Sequence, residues 1–250
     1  MALYFIGIGL WDEKDISLKG LETVRNCDKL YLETYTSKLN SNREALEELY
    51  GKEVIEADRE FVEDGKKIIN EAMDKNIALL VVGDPFGATT HTDLRIRALE
   101  AGIKVGIIHN ASIINAIGST GLDLYKFGRT TSIPFDNKNI TSPLTVINNN
   151  REAGLSTLVL FDLDPKNDKF MEVSQALEFL LSIGLEKDTL CIGCAGIGSP
   201  EPEIIAGEAQ LLKKQIFNLK PRCLIIPGKT HPMEDEMIKR MKMETQKTKN

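Results

Sequence analysis

Short runs of apolar and β-branched residues alternate with segments of helical periodicity along almost the whole chain. Each run ends at a glycine or a polar turn, which is typical of β-strands. Because strands that alternate with helices build a layered fold, the pattern predicts an α/β architecture with largely parallel strands. The predicted strands are Leu3–Ile8, Lys29–Leu32, Ala78–Val82, Val105–His109, Thr131–Phe135, Thr157–Leu163, Thr189–Cys194 and Arg222–Ile226.

Between these runs, apolar residues recur every three or four positions and so share one face of a helix. Asn42, Asp64 and Asn110 each precede such a segment and are candidate helix caps. Residues Asp136–Asn150 show little pattern and are predicted to form a loop over the functional site. The other predicted helices include Leu18–Val24, Leu94–Ala101 ending at Gly102, Val173–Leu181, Glu208–Ile216 and Met233–Met243.

Composition narrows the possible partners. The 250 residues include 31 lysines and arginines against 37 aspartates and glutamates, a net charge of −6. This charge argues against a nucleic-acid partner, which a clustered basic surface would favour. No apolar run approaches the roughly 18 residues that a membrane helix requires, and the apolar start lacks the features of a signal peptide. We therefore expect no membrane span and a cytoplasmic protein.

The cysteines and histidines do not form a recognisable metal or protease motif. The spacing Cys191-x-x-Cys194 lacks the second pair of a structural zinc site, and on a strand the two side chains point to opposite faces. Buried, reduced thiols are therefore favoured, and no metal site is predicted. His91, His109 and His231 lack an HExxH context, and the chain contains no G-x-S-x-G nucleophile motif.

Gly7-Ile8-Gly9 follows the first strand, where dinucleotide-binding folds place their phosphate-binding turn. A third glycine would be needed at position 12, which is Asp12, and its carboxylate would repel a diphosphate. The glycine pair is therefore either a tight turn alone or part of a site whose ligand is not held through a diphosphate.

A second glycine-rich segment, Gly83 to Thr90, leaves the most apolar strand at its carboxyl end, where open α/β sheets bind ligands. Its glycines permit close approach of a ligand, and Asp84 can accept hydrogen bonds from it; capping of the next helix is the alternative. Residues 110–114 also start a helix after a strand, and Ser112 offers a hydroxyl there. Three loops are thus expected at one sheet edge.

These segments together resemble the diphthine synthase family. The resemblance rests on Leu3–Leu10, on the string GDPFGATTHTD at 83–93, on HNASI at 109–113 and on IPGKTHPME at 226–234. It implies a tetrapyrrole-methylase-type fold with two α/β domains, at residues 1–111 and 112–245, and the ligand cleft between them. A flexible tail follows at 246–250. A homodimer is implied as well.

The resemblance also implies an activity. Members use S-adenosyl-L-methionine, which leaves as S-adenosyl-L-homocysteine, to trimethylate the amino group of a 3-carboxy-3-aminopropyl chain on one histidine of translation elongation factor 2, a step of diphthamide biosynthesis. Eukaryotic members also form a methyl ester. No catalytic residue is assigned. The implied cofactor-binding residues are Leu10, Asp84, Gly87, Ser112, Ile113, Leu163, Ala206 and His231.

The sequence departs from the family at two places, and it is compatible with three alternative functions. Residues 136–150 lack the aromatic, arginine and proline cluster of relatives, and Trp11 replaces a small residue. The alternatives are a porphyrinoid methyltransferase, a ribosomal-RNA methyltransferase, and a non-catalytic nucleotide-binding sensor. Methyl transfer to elongation factor 2 would separate the synthase from all three.

Overall fold

The computed structural model describes residues 1–242, and these divide into two compact units. The first unit contains Met1–Ala116 together with the short segment Asp164–Asp168, and the second contains Ile117–Leu163 and residues 169–242. The predicted tail at 246–250 lies outside the described residues. The predicted domain boundary at residue 111 stays a prediction.

The first unit is built on a five-stranded sheet in the order β3-β2-β4-β1-β5, and every neighbouring pair is parallel. Helices connect the strands, as parallel pairing requires. The strands are β1 (Ala2–Gly7), β2 (Lys29–Glu33), β3 (Val54–Ala57), β4 (Asn76–Val81) and β5 (Lys104–Ile108); the helices are α1 (Leu18–Asn26), α2 (Arg43–Tyr50), α3 (Arg59–Asp64), α4 (Lys66–Ala72), α5 (Thr92–Glu100) and α6 (Ile113–Ala116).

Alternation along β1 explains how this sheet buries both faces. Leu3 and Phe5 belong to one cluster of buried residues, whereas Ile6 and Ile8 belong to another, and all four are fully buried. Successive side chains of a strand point to opposite faces, so an almost continuous apolar run serves two helix layers at once.

The second unit contains a five-stranded sheet in the order β11-β10-β12-β7-β6. Its strands are β6 (Thr131–Ile133), β7 (Thr157–Phe161), β10 (Leu190–Ala195), β11 (Glu203–Glu208) and β12 (Arg222–Ile226), and its helices are α7 (Ser142–Glu152), α8 (Val173–Ser182), α9 (Ala209–Leu212) and α10 (Pro232–Met241). The two-residue strands β8 (Leu163–Asp164) and β9 (Lys169–Phe170) stand at the ends of the segment that joins the first unit.

The expectation of largely parallel strands is wrong for this second sheet. Only β6 and β7 pair in parallel, whereas the other three pairings are antiparallel. The physical reason is the connection between β10 and β11, which is a short turn through Gly196 and Gly198 at positive φ. A short turn reverses the chain, but a parallel pair needs a long crossover.

Several predicted elements also differ in detail. Asp64 does not cap a helix, because it is the last residue of α3, and the left-handed Gly65 separates α3 from α4. The predicted loop at 136–150 contains most of α7, whose asparagines had hidden its helical pattern. The predicted helix 208–216 forms only over α9. Strands β3 and β11 were not predicted, since each is short or partly polar.

The prediction for the cysteines is confirmed, since all four are free and buried. Cys191 and Cys194 both lie in β10, and burial raises the pKa of Cys191 to about 12. Cys194 lies opposite Cys223 of β12, and the hydrogen bond between the two thiols, together with burial, raises the pKa of Cys194. These thiols are core residues.

No helix in residues 1–242 is both long and apolar enough to cross a bilayer.

Candidate active site

The bend after β1 is fixed by its glycines. Gly9 adopts a φ of +86°, a conformation that side-chain-bearing residues rarely take, and its carbonyl accepts a 2.7 Å hydrogen bond from the amide of Gly83. A Cβ on Gly7 would lie 2.5 Å from the carbonyl oxygen of Gly83. The Gly7-Ile8-Gly9 pattern thus lets the first bend touch the bend after β4, and this contact accounts for both glycines without a phosphate.

Leu10, the first predicted cofactor residue, follows directly on this bend. Its backbone amide and that of Trp11 both donate to Oδ2 of Asp15, at 3.1 and 2.6 Å. The bend after β1 is therefore closed on itself by one carboxylate. Leu10 is held at a fixed place next to Gly9 with its side chain partly exposed.

Asp84 joins the bend after β4 to the bend after β5. Its Oδ1 accepts from the amide of Phe86 at 2.9 Å, and its Oδ2 accepts from the His109 ring at 2.7 Å and the amide of Asn110 at 3.2 Å. Burial alone would raise the pKa of Asp84, but these hydrogen bonds outweigh it and hold the pKa below its ordinary value. Asp84 is therefore a carboxylate at neutral pH. It does not cap a helix, because α5 begins at Thr92 after His91.

Asn110 completes the connection between the three bends. Its side-chain nitrogen donates to the carbonyls of Gly7 and Asp15, each at 3.0 Å, so it reaches the bend after β1. The prediction that Asn110 caps the following helix is wrong, because among the described residues its side-chain oxygen accepts only from the adjacent amide of Ala111. The polar side chain is used for tying loops together.

Gly87 and Ser112 meet where the second and third bends approach each other. A Cβ on Gly87 would lie 2.9 Å from the hydroxyl oxygen of Ser112, so a larger residue there would require the Ser112 side chain to move. Ser112 is buried, and its hydroxyl accepts from the amide of Ile114 at 3.3 Å. Ile113 opens α6 directly behind it. The five predicted residues of the first unit thus lie on three bends that touch one another.

The three predicted residues of the second unit lie on separate elements. Leu163 begins β8, and its amide donates to Asp162 at 3.0 Å. Ala206 is fully buried in β11 opposite Ile192 of β10. His231 is the N-cap of α10. No hydrogen bond in the described part of the chain joins these three residues to one another.

His231 belongs to a polar cluster of its own. Its Nε2 lies 2.9 Å from Oδ2 of Asp123, and its Nδ1 accepts from the amide of Met233 at 3.2 Å. The Tyr125 hydroxyl and the His231 ring lower the pKa of Asp123. The buried carboxylate of Glu234 accepts from the amides of Asp123 and His231, each at 3.0 Å.

The side chains of Asp123, His231 and Glu234 have the composition of a metal-binding group. Glu234, however, also forms an ion pair with the ammonium of Lys126. Burial would raise the pKa of Glu234, but the Lys126 ammonium and the two amides lower it instead. Both ring nitrogens of His231 are already engaged, so each of these three side chains has partners within this chain, which suits the anchoring of α10 on residues 123–126.

The sequence of residues 2–212 matches the profile of the tetrapyrrole (corrin/porphyrin) methylases. The human diphthine methyl ester synthase is 42% identical to this chain over 94% of the chain and 93% of its own length. The Schizosaccharomyces pombe diphthine methyl ester synthase is 43% identical over the same shares. The chain belongs to the diphthine methyl ester synthase family. A solved diphthine synthase structure agrees, with a TM-score of 0.92, 39% identity and coverage of 97% of this chain and 96% of the other.

Membership in the diphthine methyl ester synthase family confirms the predicted fold and makes the chain a methyltransferase of diphthamide biosynthesis. The residues of the three bends fit the donor that such an enzyme uses. The bends offer glycines for close approach and the carboxylate of Asp84, which suits a cationic ligand, and their sequences lack a phosphate-binding lysine of the Walker type.

Sequence patterns indicated no role for Glu33 or for His91, which the structure buries next to each other. Glu33 ends β2 and is 1% exposed, and His91 is 1% exposed with its Nε2 3.8 Å from Oε2 of Glu33. The Nδ1 atom of His91 lies 3.0 Å from the carbonyl of Pro85, in the loop that carries Asp84 and Gly87. The sequence offered one indication of this buried pair, the carboxylate of Glu33 directly after the predicted strand Lys29–Leu32.

Proposed function

We propose that this chain transfers methyl groups from S-adenosyl-L-methionine to the 3-carboxy-3-aminopropyl side chain on one histidine of translation elongation factor 2. The amino group takes three methyl groups, as the family resemblance implies, and the carboxylate forms a methyl ester, which the names of the relatives include. The observation that carries this proposal is identity above 40% over 94% of the chain with proteins named diphthine methyl ester synthase.

The donor, S-adenosyl-L-methionine, supplies a methyl group on a sulfonium, a good leaving group. We place its binding on the three bends of the first unit, at Leu10, Asp84, Gly87, Ser112 and Ile113. Glycine at positions 7 and 87 and the backbone bonds among the bends keep this surface rigid, so little ordering remains to be done on binding. Leu163, Ala206 and His231 remain proposed contacts from the second unit.

The reaction itself requires few chemical groups from the protein. In each N-methylation the amine nitrogen attacks the methyl carbon in line, the nitrogen–carbon bond forms as the carbon–sulfur bond breaks, and the electron pair goes to sulfur. In the ester-forming step a carboxylate oxygen attacks in the same way, so an oxygen–carbon bond forms as the carbon–sulfur bond breaks. The nitrogen must lose its proton before it attacks. Alignment of the two reactants and exclusion of water supply most of the acceleration in such a transfer. We propose no covalent nucleophile, and no catalytic residue is assigned.

Mass spectrometry tests this proposal directly. Elongation factor 2 from cells that lack the methyltransferase is incubated with this protein and S-adenosyl-L-methionine, and the peptide with the modified histidine is analysed. We expect four successive gains of one methyl group, the last of which is lost on mild alkaline hydrolysis because it is an ester. No gain on this peptide would refute the proposal. Methylation of a porphyrinogen or of ribosomal RNA instead would support the corresponding alternative.

The surroundings of the enzyme are part of the proposal. A substrate that acts in translation favours a cytoplasmic location, and the net charge of −6 favours a protein partner over RNA. We also propose a homodimer, as the family resemblance implies. Light scattering should then give twice the chain mass of 27.8 kDa, and a value of one chain mass would refute the dimer.

A further inference from the structure

A cavity of about 700 Å³ opens at the carboxyl edge of the first sheet. It lies beside the three bends that we propose to bind the methyl donor, the donor bends (residues 7–10, 83–87 and 110–113). All of its lining residues belong to the first unit. They come from the ends of β2 and β3, from the start of α2 and from the turn at 165–166. Val82 also lines the cavity, and the next residue, Gly83, is bonded to Gly9 in the donor bends. The cavity and the donor bends are therefore adjacent at Val82 and Gly83, the two residues that follow β4.

One wall of this cavity is held by a buried carboxylate. Oε1 of Glu33 accepts hydrogen bonds from the amides of Tyr35 and Thr36, both at 2.6 Å, and Oε2 bonds to the Thr36 hydroxyl. These bonds fix the turn that leads to Ser37, which lines the cavity. A buried carboxylate destabilises a fold unless its oxygens accept hydrogen bonds. The bonds to Glu33 therefore hold this wall of the cavity in one conformation.

The lining of the cavity combines an apolar floor with charges of both signs. Leu39 and Val82 are buried and form part of the floor. Glu56 and Lys166 are exposed at its rim, and within residues 1–242 neither side chain forms a hydrogen bond or an ion pair. Glu44 also lines the cavity, is exposed and has no such partner within residues 1–242. An unpaired carboxylate and an unpaired ammonium suit a zwitterion, which places an amine near the former and a carboxylate near the latter.

We infer that this cavity receives the aminocarboxypropyl-histidine of the protein substrate, with its amine near Glu56 and its carboxylate near Lys166. The inference rests on the proposed function and adds the acceptor site to it. The imidazole of the modified histidine then lies over the apolar floor. A volume of about 700 Å³ is in the range of pockets that enclose a small ligand, so the flanking backbone fits as well. An in-line transfer requires adjacent donor and acceptor sites, and Val82 and Gly83 provide that adjacency.

The test uses the full chain with reversed charges. Lys166→Glu and Glu56→Lys are compared with Lys104→Glu and Glu100→Lys, which make the same charge changes at exposed positions where β5 starts and α5 ends. A double variant that exchanges Lys166 and Glu56 keeps the net charge at −6. Steady-state methylation of elongation factor 2 bearing the modified histidine gives kcat/KM, and calorimetry gives the Kd of S-adenosyl-L-methionine.

We expect kcat/KM for the protein substrate to fall about tenfold in each cavity variant and in the double variant, with the donor Kd within about twofold of wild type. The two control variants should keep both values. Cavity variants that match the controls would overturn the inference. So would cavity variants that weaken donor binding, because the cavity would then belong to the donor.

The two proposals fail in different ways in this experiment. If the wild-type protein binds S-adenosyl-L-methionine but transfers no methyl group to elongation factor 2, the proposed function fails and the acceptor site fails with it. If the wild-type protein does transfer the methyl group and the cavity variants are as active as the controls, only the acceptor site fails.

Discussion

Replacement of Asp84 by alanine tests whether the three bends form one hydrogen-bonded unit. The side chain of Asp84 is 14% exposed and accepts three hydrogen bonds, so its loss leaves the amides of Phe86 and Asn110 and the ring of His109 without this partner. A hydrogen bond to a charged group contributes roughly 1.5–3 kcal/mol, but donors near the surface regain water. We therefore expect the free energy of unfolding of the first unit to fall by about 2–3 kcal/mol.

The assay has a global and a local part. Urea unfolding gives the change in the free energy of unfolding, and amide hydrogen exchange reports on Phe86 and Asn110, whose protons should exchange faster in Asp84→Ala. Calorimetry should show at least about tenfold weaker binding of S-adenosyl-L-methionine, because the bends no longer hold one geometry. Asp74→Ala is the matched control, since Asp74 is an exposed aspartate whose side chain forms no hydrogen bond among the described residues.

The pH dependence gives an independent check on Asp84. Its pKa is lowered in the folded protein, so its ionisation stabilises the fold above its unfolded pKa, near the ordinary value of 3.8, and this contribution is lost as the pH falls through the lower folded value. The difference in stability between wild type and Asp84→Asn should therefore shrink below about pH 4. An Asp84→Ala variant that unfolds within about 0.5 kcal/mol of wild type and binds the donor normally would refute this account of the bends.

Three further predictions follow from packing and charge. Gly7→Ala places a methyl group 2.5 Å from the Gly83 carbonyl, so we expect at least about tenfold weaker donor binding by calorimetry; an unchanged Kd would contradict the close contact. The buried thiols Cys191 and Cys194 should react with a thiol reagent only after unfolding, and rapid labelling of either in the native protein would contradict their burial. Glu234→Gln removes a carboxylate whose pKa lies below 4.5, so stability should fall by about 2–4 kcal/mol at pH 7 and by less below pH 4 in urea unfolding; an equal loss at both would contradict the ion pair.

The first unit could be predicted closely because its local signals agree with its fold. Each buried strand is an apolar run that stops at a polar or glycine turn, and parallel strands all present their carboxyl ends at the same edge. Positions 83–87 and 110–113 were therefore expected to meet, and the hydrogen bonds of Asp84 and the contact of Gly87 with Ser112 confirm it. The pattern could not show the hydrogen bonds that Asn110 donates to the bend after β1, since an asparagine at this position is equally typical of a helix cap.

The second unit was harder to predict because sequence periodicity does not encode strand direction. The apolar run of β10 is compatible with a parallel or an antiparallel neighbour, and the choice depends on the connection that follows. Residues 196–202 contain two glycines at positive φ and form a turn too short for a crossover helix, so β11 returns beside β10. β11 itself begins with a glutamate and is only partly buried in its first half, which weakened its signal.

The acceptor cavity shows why a site formed by residues that are distant in the chain cannot be recognised from the sequence, even when its charged residues can be identified one by one. Glu33 and Lys166 are 133 positions apart in the chain, and no local pattern connects the end of a strand to a turn that joins the first unit from the second half of the sequence. The donor bends consist of glycines and hydrogen-bonded backbone amides. Because backbone geometry constrains the residue type at each of these positions, the bends have recognisable sequence motifs. The cavity uses exposed charges and a fold-dependent turn, which constrain only the position of a side chain in space. Substitutions on the donor bends should therefore alter both stability and donor affinity, whereas those at the cavity rim should alter only the kinetics toward the protein substrate, and variants that break this division would show that the two surfaces are one site.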